Sequence, residues 1–329
     1  MKVAVFSCKP YDKRTLASAT NDADLSMTYF ESRLSMETIS LVKGFDAVSC
    51  FVNDDVNADV IRLLKQQGVK TIALRCAGFN NVDLEAAKAE GIKVFHVPDY
   101  SPTSVAEHAV ALIMTLNRKT HRAYHRVKEG NFALEGLMGF NLAGKTVGCI
   151  GTGRIGTAFC RIMKGFGCEV LCYDLSPSQE LIDQGCQYIP LDELYQQSDI
   201  ISLHCPLNTS THHLISKNSL AKMKDGVMII NTSRGALVHA QEAIDALYSG
   251  KIGYLGLDVY EQENKIFFED MSSHIIQDSV FQLMLTFPNV VVTGHQGYFT
   301  IEALNHIAQT TVDNLLHHQS DSSGTRQLA

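Results

Sequence analysis

Residues 151–156 read Gly151-Thr152-Gly153-Arg154-Ile155-Gly156 and lie in the middle of a chain of 329 residues. An apolar run at 146–150 precedes them, and apolar residues at helical spacing follow them. A second apolar run at 169–173 leads into Asp174, which comes 18 residues after Gly156. The order of strand, glycine turn, helix, strand and acid predicts a dinucleotide-binding β-α-β unit.

Each position of the glycine turn has a physical task. Gly151 permits a tight turn, Gly153 lets a pyrophosphate approach the backbone, and Gly156 lets the helix pack closely on the sheet. The N-terminus of that helix favours phosphate oxygens. Asp174 is expected to accept hydrogen bonds from the adenosine ribose, where a 2′-phosphate would meet a negative charge. Because no Arg or Lys follows Asp174 within five residues, the sequence predicts NAD rather than NADP.

The composition excludes several classes of function. Hydrophobic residues make up 45% and charged residues 19% of the chain, which is typical of a globular protein. The net charge of −7 argues against nucleic acid as a partner, because phosphate binding requires a basic surface. No apolar stretch is long enough to span a membrane, and the N-terminus is typical of a first strand rather than a signal peptide. We therefore expect neither a nucleic-acid nor a membrane partner.

The cysteines and histidines indicate no metal. Nine cysteines are scattered without a Cys-x-x-Cys pair, which favours reduced thiols in the cytoplasm. The thirteen histidines also lack metal-ligand spacing. The adjacent pairs at 212–213 and 317–318 are expected to point apart on a strand or helix.

The central position of the turn predicts two domains. The first hundred residues alternate short apolar runs with helical patterns, which predicts a second parallel sheet covered by helices. The predicted fold class is therefore α/β with two doubly wound parallel sheets. A Rossmann NAD-binding domain at 101–295 is inserted into a flavodoxin-like catalytic domain formed by 1–100 and 296–329. Ligand is expected in a cleft between the domains, at the carboxyl ends of the strands.

Two helices complete this prediction. Residues 101–128 are predicted to form one long helix, apolar in its first half and basic in its second half. A last helix is predicted at about 300–318, and the polar tail from Ser320 is expected to be frayed.

Charged and titratable residues follow three predicted strands of the central domain. Arg234 follows the strand at 227–231, where its fork could hold a carboxylate or simply lie at the surface. His295 follows the strand at 290–293, where it could exchange a proton or cap the next helix. Asp258, Glu261 and Glu263 close a third strand. Such an acidic run usually lies in solvent, and spacing does not choose among the three.

These motifs occur in order, together with His204-Cys205-Pro206-Leu207, and the set resembles the D-isomer-specific 2-hydroxyacid dehydrogenases over nearly the whole chain. The resemblance implies that Arg234 binds the substrate carboxylate and polarises the carbonyl. It implies that His295 donates a proton as NADH delivers hydride, and that Glu263 hydrogen-bonds the other His295 nitrogen. A neighbouring carboxylate stabilises the protonated imidazole. The resemblance therefore selects Glu263 among the three acids.

Within the family, residues 75–83, 97–102 and 267–270 are similar to members that reduce pyruvate to D-lactate in fermentation. The implied reaction is reversible, NADH-dependent reduction of pyruvate to D-lactate. The alternative is a dehydrogenase of another D-2-hydroxy acid, such as phenyllactate or glycerate.

The resemblance also implies contact residues. Besides Arg234 and His295, those for the substrate are Cys76, Ala77, Gly78 and Tyr100. Those for NAD are Gly151, Gly153, Arg154, Ile155, Gly156, Asp174, Cys205, Pro206, Thr211, Thr232, Ser233 and Asp258. Two positions depart from the family pattern. Gly297 stands where Ala is common, and Thr211 stands where Asn is frequent.

Other functions and the subunit number stay open at this point. A formate dehydrogenase-like enzyme pairs its His with Gln, whereas this chain has Glu263. An NAD-sensing binding module would keep the same Arg-Glu-His set, although the chain lacks an extended low-complexity tail. The family forms dimers and some tetramers, so a homodimer or homotetramer is expected. The segment 101–138, with its basic helix, is either a subunit contact or a solvated helix end.

Overall fold

A computed structural model describes residues 1–20, 24–263, 266–316 and 326–329. The chain divides into two compact units, one of Met1–Ser101 with Tyr298–Ala329 and one of Pro102–Gly297. These boundaries differ from the predicted ones by one or two residues. The assignment of a substrate role to the first unit and a cofactor role to the second stays a prediction.

The first unit contains a five-stranded parallel sheet in the order β2-β1-β3-β4-β5. This is the strand order of flavodoxin-like folds. The strands are short and mostly buried, as expected when helices cover both faces of a parallel sheet. Their bounds are β1 (Lys2–Val5), β2 (Ser26–Tyr29), β3 (Ala47–Cys50), β4 (Thr71–Leu74) and β5 (Lys93–Phe95).

Helices cover this sheet on both faces, and each face has its own hydrophobic core. Asn57 begins the second helix because its side chain accepts hydrogen bonds from the backbone N–H groups of Asp59 and Val60. Gly68 follows that helix with a φ of 93°, a conformation that glycine adopts without strain. The helices are α1 (Pro10–Ala19), α2 (Ala58–Gln66), α3 (Leu84–Ala89) and, from the C-terminal segment, α12 (Ile301–Leu316).

The last residues of the chain are ordered, and this corrects the expected frayed tail. Residues 326–329 run antiparallel to β5, with backbone hydrogen bonds between Val94 and both Leu328 and Ala329. Leu328 and Ala329 also pack against the core beside the sheet. The polar composition of the tail predicted fraying. It missed the pairing because backbone hydrogen bonding at a sheet edge leaves no signal in composition. Residues 320–325 of the expected tail lie outside the described residues, as do His317 and His318 at the end of the predicted last helix.

The second unit contains a seven-stranded parallel sheet in the order β12-β11-β10-β9-β6-β7-β8. Six of these strands follow the Rossmann order, and β12 extends it. The predicted α/β fold class with two doubly wound parallel sheets is therefore confirmed. The strands are β6 (Thr146–Ile150), β7 (Glu169–Tyr173), β8 (Gln187–Tyr188), β9 (Ile200–Leu203), β10 (Val227–Asn231), β11 (Ile252–Leu257) and β12 (Val290–Val292).

Two hydrophobic cores also lie within the second unit. Its longest helix buries one face of small and branched apolar side chains, among them Ala109 and Ile113. The helices are α4 (Pro102–Arg118), α5 (Thr120–Lys128), α6 (Arg154–Gly165), α7 (Gln179–Asp183), α8 (Leu191–Gln197), α9 (Lys217–Leu220), α10 (Ala240–Tyr248) and α11 (Ser279–Thr286).

The prediction of a single helix over 101–128 is wrong, because the helix breaks at Lys119. This residue has a φ of 48°, which separates α4 from α5. The buried side chain of Asn117 exchanges two hydrogen bonds of 2.8 Å with the backbone of Phe140. The Lys119 ammonium donates to the Met138 carbonyl at 2.5 Å. The segment 138–140 therefore fixes the break through these hydrogen bonds. The helical periodicity of residues 101–128 does not indicate it.

Within the described residues, no helix combines the length and the apolar character needed to cross a membrane.

Candidate active site

The glycine turn between β6 and α6 depends on close backbone approaches. A Cβ on Gly151 would lie 2.5 Å from the backbone nitrogen of Cys205, and the φ of Gly151 is 93°. A Cβ on Gly156 would overlap the Gly151 carbonyl oxygen. At Gly153, by contrast, no heavy atom lies within 4 Å of the Cβ position. The turn is therefore tight on its sheet side and open where phosphate groups are expected, at the start of α6.

Asp174 lies directly after β7 and contacts the glycine turn. Its Oδ2 accepts a hydrogen bond from the Thr152 backbone at 2.6 Å, and its Oδ1 accepts one from the Ser176 backbone at 2.9 Å. The Tyr188 hydroxyl donates to the Thr152 hydroxyl at 2.8 Å. The acid is thus held at the edge of the turn, where an adenosine ribose is expected.

The predicted contacts on α6 and after β9 differ in exposure. Arg154 is exposed at the start of α6, whereas Ile155 packs partly against the core. The Thr211 hydroxyl donates to the Pro206 carbonyl at 2.7 Å, so it closes the turn that follows β9.

The segment after β10 contains a buried hydroxyl, that of Thr232, that indicates a ligand site. Ser233 donates from its hydroxyl to the Cys205 carbonyl at 2.7 Å and joins the ends of β9 and β10. The neighbouring Thr232 Oγ1 is buried and has no hydrogen-bond partner among the described residues. Buried polar atoms of this kind call for a partner, such as a polar ligand. The open turn at Gly153 and this hydroxyl therefore fit a bound dinucleotide.

Arg234 lies in a turn that is fixed by a buried asparagine. The Asn231 side chain accepts from the Ser233 backbone at 3.0 Å and donates to the Arg234 carbonyl at 2.8 Å. The guanidinium is half-buried and donates to the Ser233 carbonyl at 2.8 Å. Gly235 follows, and a Cβ there would overlap the backbone of Tyr260. The turn of Arg234 therefore packs against the segment after β11.

The three acids after β11 each pair with a different histidine. Glu263 Oε1 lies 2.8 Å from His295 Nδ1, and Glu263 Oε2 accepts from the Tyr260 backbone at 2.9 Å. Glu261 Oε1 lies 2.7 Å from His213 Nε2. The structure therefore brings Glu263, and not Glu261, to His295.

Asp258, the third acid, is buried beneath His295. Its Oδ1 lies 3.2 Å from His108 Nε2, and its two oxygens accept from the backbones of Gln296 and Gly297 at 2.9 and 2.7 Å. Burial acts to raise the pKa of Asp258, but hydrogen bonds from His108 and Thr293 outweigh it and hold the pKa below its ordinary value. The ionised carboxylate thus fixes the backbone around His295, while its predicted contact with NAD stays a prediction.

His295 has a left-handed backbone with a φ of 54°. Its backbone N–H donates to the Asp258 carbonyl at 2.8 Å, and the side chain is 21% exposed. The Phe268 ring centroid lies 5.6 Å from that of the imidazole. One imidazole edge is therefore held by Glu263, and the ring is partly accessible to a ligand.

Sequence reasoning missed His108, Thr293 and Phe268 as neighbours of the candidate site. The Thr293 hydroxyl donates to Asp258 at 2.5 Å and contacts His108 Nε2 at 2.9 Å. A weak signal existed for His108, because it interrupts the apolar face of α4. The sequence offers no comparable signal for the other two.

The predicted substrate contacts lie in the first unit. The Cys76 thiol donates to the Gly78 carbonyl at 3.2 Å, and His96 Nδ1 lies 2.9 Å from the Ala77 carbonyl oxygen. Hydrogen bonds therefore order the loop 76–78 after β4. Tyr100 packs edge-on against Tyr298, with ring centroids 6.1 Å apart.

A Rossmann sheet with an open glycine turn, an acid after its second strand and a Glu-paired His beyond its last strand is the arrangement expected of an NAD-dependent dehydrogenase. Residues 110–297 match the sequence profile described as "D-isomer specific 2-hydroxyacid dehydrogenase, NAD binding domain". The chain belongs to this family, and its cofactor is NAD.

Several relatives are similar over nearly their full lengths. The D-lactate dehydrogenase of Escherichia coli strain K12 is 52% identical over 315 residues, which cover 96% of each chain. The apo structure of D-lactate dehydrogenase from Escherichia coli has a TM-score of 0.92 at 48% identity and covers 100% of both chains. A structure titled as the pyruvate reductase of Chlamydomonas reinhardtii also has a TM-score of 0.92, at 46% identity over 97% of this chain and 96% of that one.

The packing role of Gly156 can be tested with a control substitution on the same helix. We expect Gly156→Ala to weaken NADH binding by about tenfold or more, because the new methyl group displaces α6 from the Gly151 carbonyl. Gly165→Ala adds the same group where nothing lies within 4 Å, so it should leave binding unchanged. Fluorescence titration with NADH measures both dissociation constants. Equal values for the two variants would contradict the packing role of Gly156.

Proposed function

We propose that this protein catalyses the reversible, NADH-dependent reduction of pyruvate to D-lactate. The observation that carries the proposal is the 2.8 Å contact between Glu263 and His295, at a strand end close in the sheet to that of Arg234. β10, β11 and β12 are adjacent and parallel, so the residues that follow them share one edge of the sheet. The D-lactate dehydrogenase relatives support pyruvate as the substrate.

His295 is the proposed proton donor to the carbonyl oxygen of the substrate. Glu263 accepts from Nδ1–H, which leaves Nε2–H to face the reacting carbonyl. The same contact holds the imidazole ring in one orientation during the proton transfer. Bound NADH supplies the hydride for the carbonyl carbon. In the reverse direction, His295 accepts the hydroxyl proton of lactate.

Arg234 is the proposed carboxylate-binding residue. A guanidinium offers two parallel N–H donors that match the two oxygens of a carboxylate. The Asn231 side chain fixes the turn that carries Arg234. Backbone groups of Cys76, Ala77 and Gly78 are proposed to bind the same carboxylate, and Tyr100 to line the substrate pocket.

NAD is proposed to bind along the ends of β6, β7, β9 and β10. Asp174 would accept from the ribose hydroxyls, and Thr232 would gain the hydrogen-bond partner that its hydroxyl lacks among the described residues. All nine cysteines are buried and free, which supports a cytoplasmic location. A fermentative role is part of the same proposal, because the proposed reaction reoxidises NADH with pyruvate.

The direct test is NADH oxidation with pyruvate beside phenylpyruvate, hydroxypyruvate and other 2-keto acids. We expect the highest kcat/KM for pyruvate, by at least about tenfold, because an added side chain must fit the same pocket. With NADPH, kcat/KM should fall by about tenfold or more, since Asp174 repels the 2′-phosphate. Preference for a bulkier acid would favour the alternative, a phenyllactate or glycerate dehydrogenase. Absence of turnover with every acid would contradict the proposal.

His295→Ala should lower kcat for pyruvate by about 10²–10⁴-fold, because the reaction loses its proton donor. The dissociation constant for NADH should stay unchanged. Glu263→Gln should lower kcat less, since an amide oxygen still accepts from Nδ1–H but carries no charge. His274→Ala, at an exposed histidine, is the matched control and should retain full activity. Near-normal turnover of His295→Ala would overturn the assignment.

Arg234→Lys should raise the KM for pyruvate by about 10–100-fold, because one ammonium cannot reproduce two parallel hydrogen bonds. Arg161→Lys provides the control, since Arg161 is exposed on α6 and pairs with Glu180. Steady-state kinetics with pyruvate as the varied substrate separates KM from kcat. An unchanged KM in Arg234→Lys would exclude Arg234 as the carboxylate-binding residue.

We also propose a homodimer or homotetramer formed through the segment 120–138. Exposed patches of apolar side chains mark protein interfaces, and this segment carries five large ones within fifteen residues. Each is more than half exposed: Tyr124, Val127, Phe132, Leu134 and Met138. We place the contact in this part of the segment 101–138 because α4 buries its apolar side chains within its own unit.

Leu134→Asp should reduce the molecular mass measured in solution to that of a smaller assembly. Burying the new carboxylate at the subunit contact costs more free energy than the burial of the apolar side chains contributes. Leu175→Asp is the control, since Leu175 is also highly exposed but lies on another part of the unit. Light scattering coupled to size exclusion measures both masses. A monomeric wild-type protein would refute the proposal.

A further inference from the structure

The histidines at 212 and 213 lie side by side, although adjacent residues were expected to point apart. Their ring centroids are 3.8 Å apart. The expectation is wrong because His213 has a left-handed φ of 52°, which turns its side chain towards that of its neighbour. The backbone N–H of His213 donates to the Ala236 carbonyl at 2.8 Å and holds this conformation.

A carboxylate from another loop completes the group. Glu261 Oε1 lies 2.7 Å from His213 Nε2, and one ligand atom from each of His212, His213 and Glu261 lies within 4.8 Å of the others. Within the part of the chain that the structure describes, this is the one group of three with metal-ligating geometry.

We propose that His212, His213 and Glu261 bind a divalent transition-metal ion such as Zn²⁺ or Ni²⁺. Two imidazole nitrogens and one carboxylate oxygen suit these ions, whereas Mg²⁺ and Ca²⁺ prefer oxygen ligands alone. With Zn²⁺ one water molecule would complete a tetrahedral site, and with Ni²⁺ further water molecules would bind, because the group opens to solvent. The inference concerns a second site and does not rest on the proposed reaction.

The distances permit this site with small side-chain movements. Zinc bonds of about 2.0–2.1 Å place two ligand atoms of a tetrahedral site about 3.3 Å apart. His213 and Glu261 must therefore separate by about half an ångström, and no pair of ligand atoms needs to approach by more than about 1.5 Å, because all lie within 4.8 Å of one another. His213 and Glu261 have 25% and 29% of their side-chain surface exposed, so rotation is possible for both.

His239 packs beside the group as a neighbour rather than as a fourth ligand. Its ring centroid lies 4.5 Å from that of His213. The lone pair of His239 Nδ1 accepts from the Glu242 backbone and caps α10, so Nε2 carries the proton in the neutral ring. The ring therefore limits the rotation of His213 without ligating the ion.

An ion at this site would connect the loop after β9 to the segment that carries Glu263. Glu261 lies two residues before Glu263, and the Tyr260 backbone N–H donates to Glu263. The metal would replace the single His213–Glu261 contact between these segments by coordinate bonds to His212, His213 and Glu261. Because the ion binds the folded chain preferentially, it should also raise the thermal midpoint.

Calorimetric titration of the full, EDTA-treated chain, without a polyhistidine tag, tests the proposal. ZnCl₂ and NiCl₂ should each bind with one equivalent per chain, and MgCl₂ should not bind at the same concentration. His212→Gln, His213→Asn and Glu261→Gln should each weaken binding by about tenfold or more. Asn tolerates a left-handed backbone, so His213→Asn removes the imidazole while keeping the fold.

Two controls separate this site from other ligands. His274→Gln and Glu302→Gln, both at exposed positions, should bind the ions like the wild type. Visible absorption of the Co²⁺ complex should show the bands of a tetrahedral site in the wild type and lose them in His213→Asn. Full-strength binding by the three site variants, or the absence of Zn²⁺ and Ni²⁺ binding by the wild type, would overturn the proposal.

Discussion

The candidate site depends on one buried carboxylate. Asp258 is 1% exposed and accepts hydrogen bonds from the Thr293 hydroxyl and from the backbones of Gln296 and Gly297. Its own carbonyl accepts from the backbone of His295. Removing one partner of a buried, paired charge typically costs about 3–5 kcal/mol. The backbone of His295 is therefore held by a carboxylate whose hydrogen bonds cost much free energy to break. The imidazole is positioned by the protein itself, without a ligand.

Local patterns predicted the central elements of the fold with little error. The strands at 146–150, 169–173 and 227–231 match the predicted bounds because each is specified by its own apolar run. The break at Lys119 and the antiparallel pairing of residues 326–329 with β5 were not predictable in this way. Asn117 bonds to Phe140 and β5 pairs with the chain terminus, so both features depend on partners distant in sequence.

The same distinction explains what could be foreseen of the site. Spacing left Asp258, Glu261 and Glu263 equivalent, since all three follow one strand. The structure distinguishes them by their histidines, which lie on α4, after β9 and after β12. Those pairings join residues that are 32 or more positions apart. A resemblance to a family could select Glu263 because it carries this three-dimensional information, whereas the spacing of one short segment cannot.

Backbone strain is concentrated around the same segments. Among the described residues of the second unit, the non-glycine positions with a left-handed backbone are Lys119, His213, Phe268 and His295. Such a conformation costs about 1–2 kcal/mol, and glycine would relieve it. Three of the four carry rings that contact Glu261, Glu263 or each other. Stability alone would favour glycine at these turns, so the imidazole and phenyl rings found there indicate tasks that require the side chains themselves.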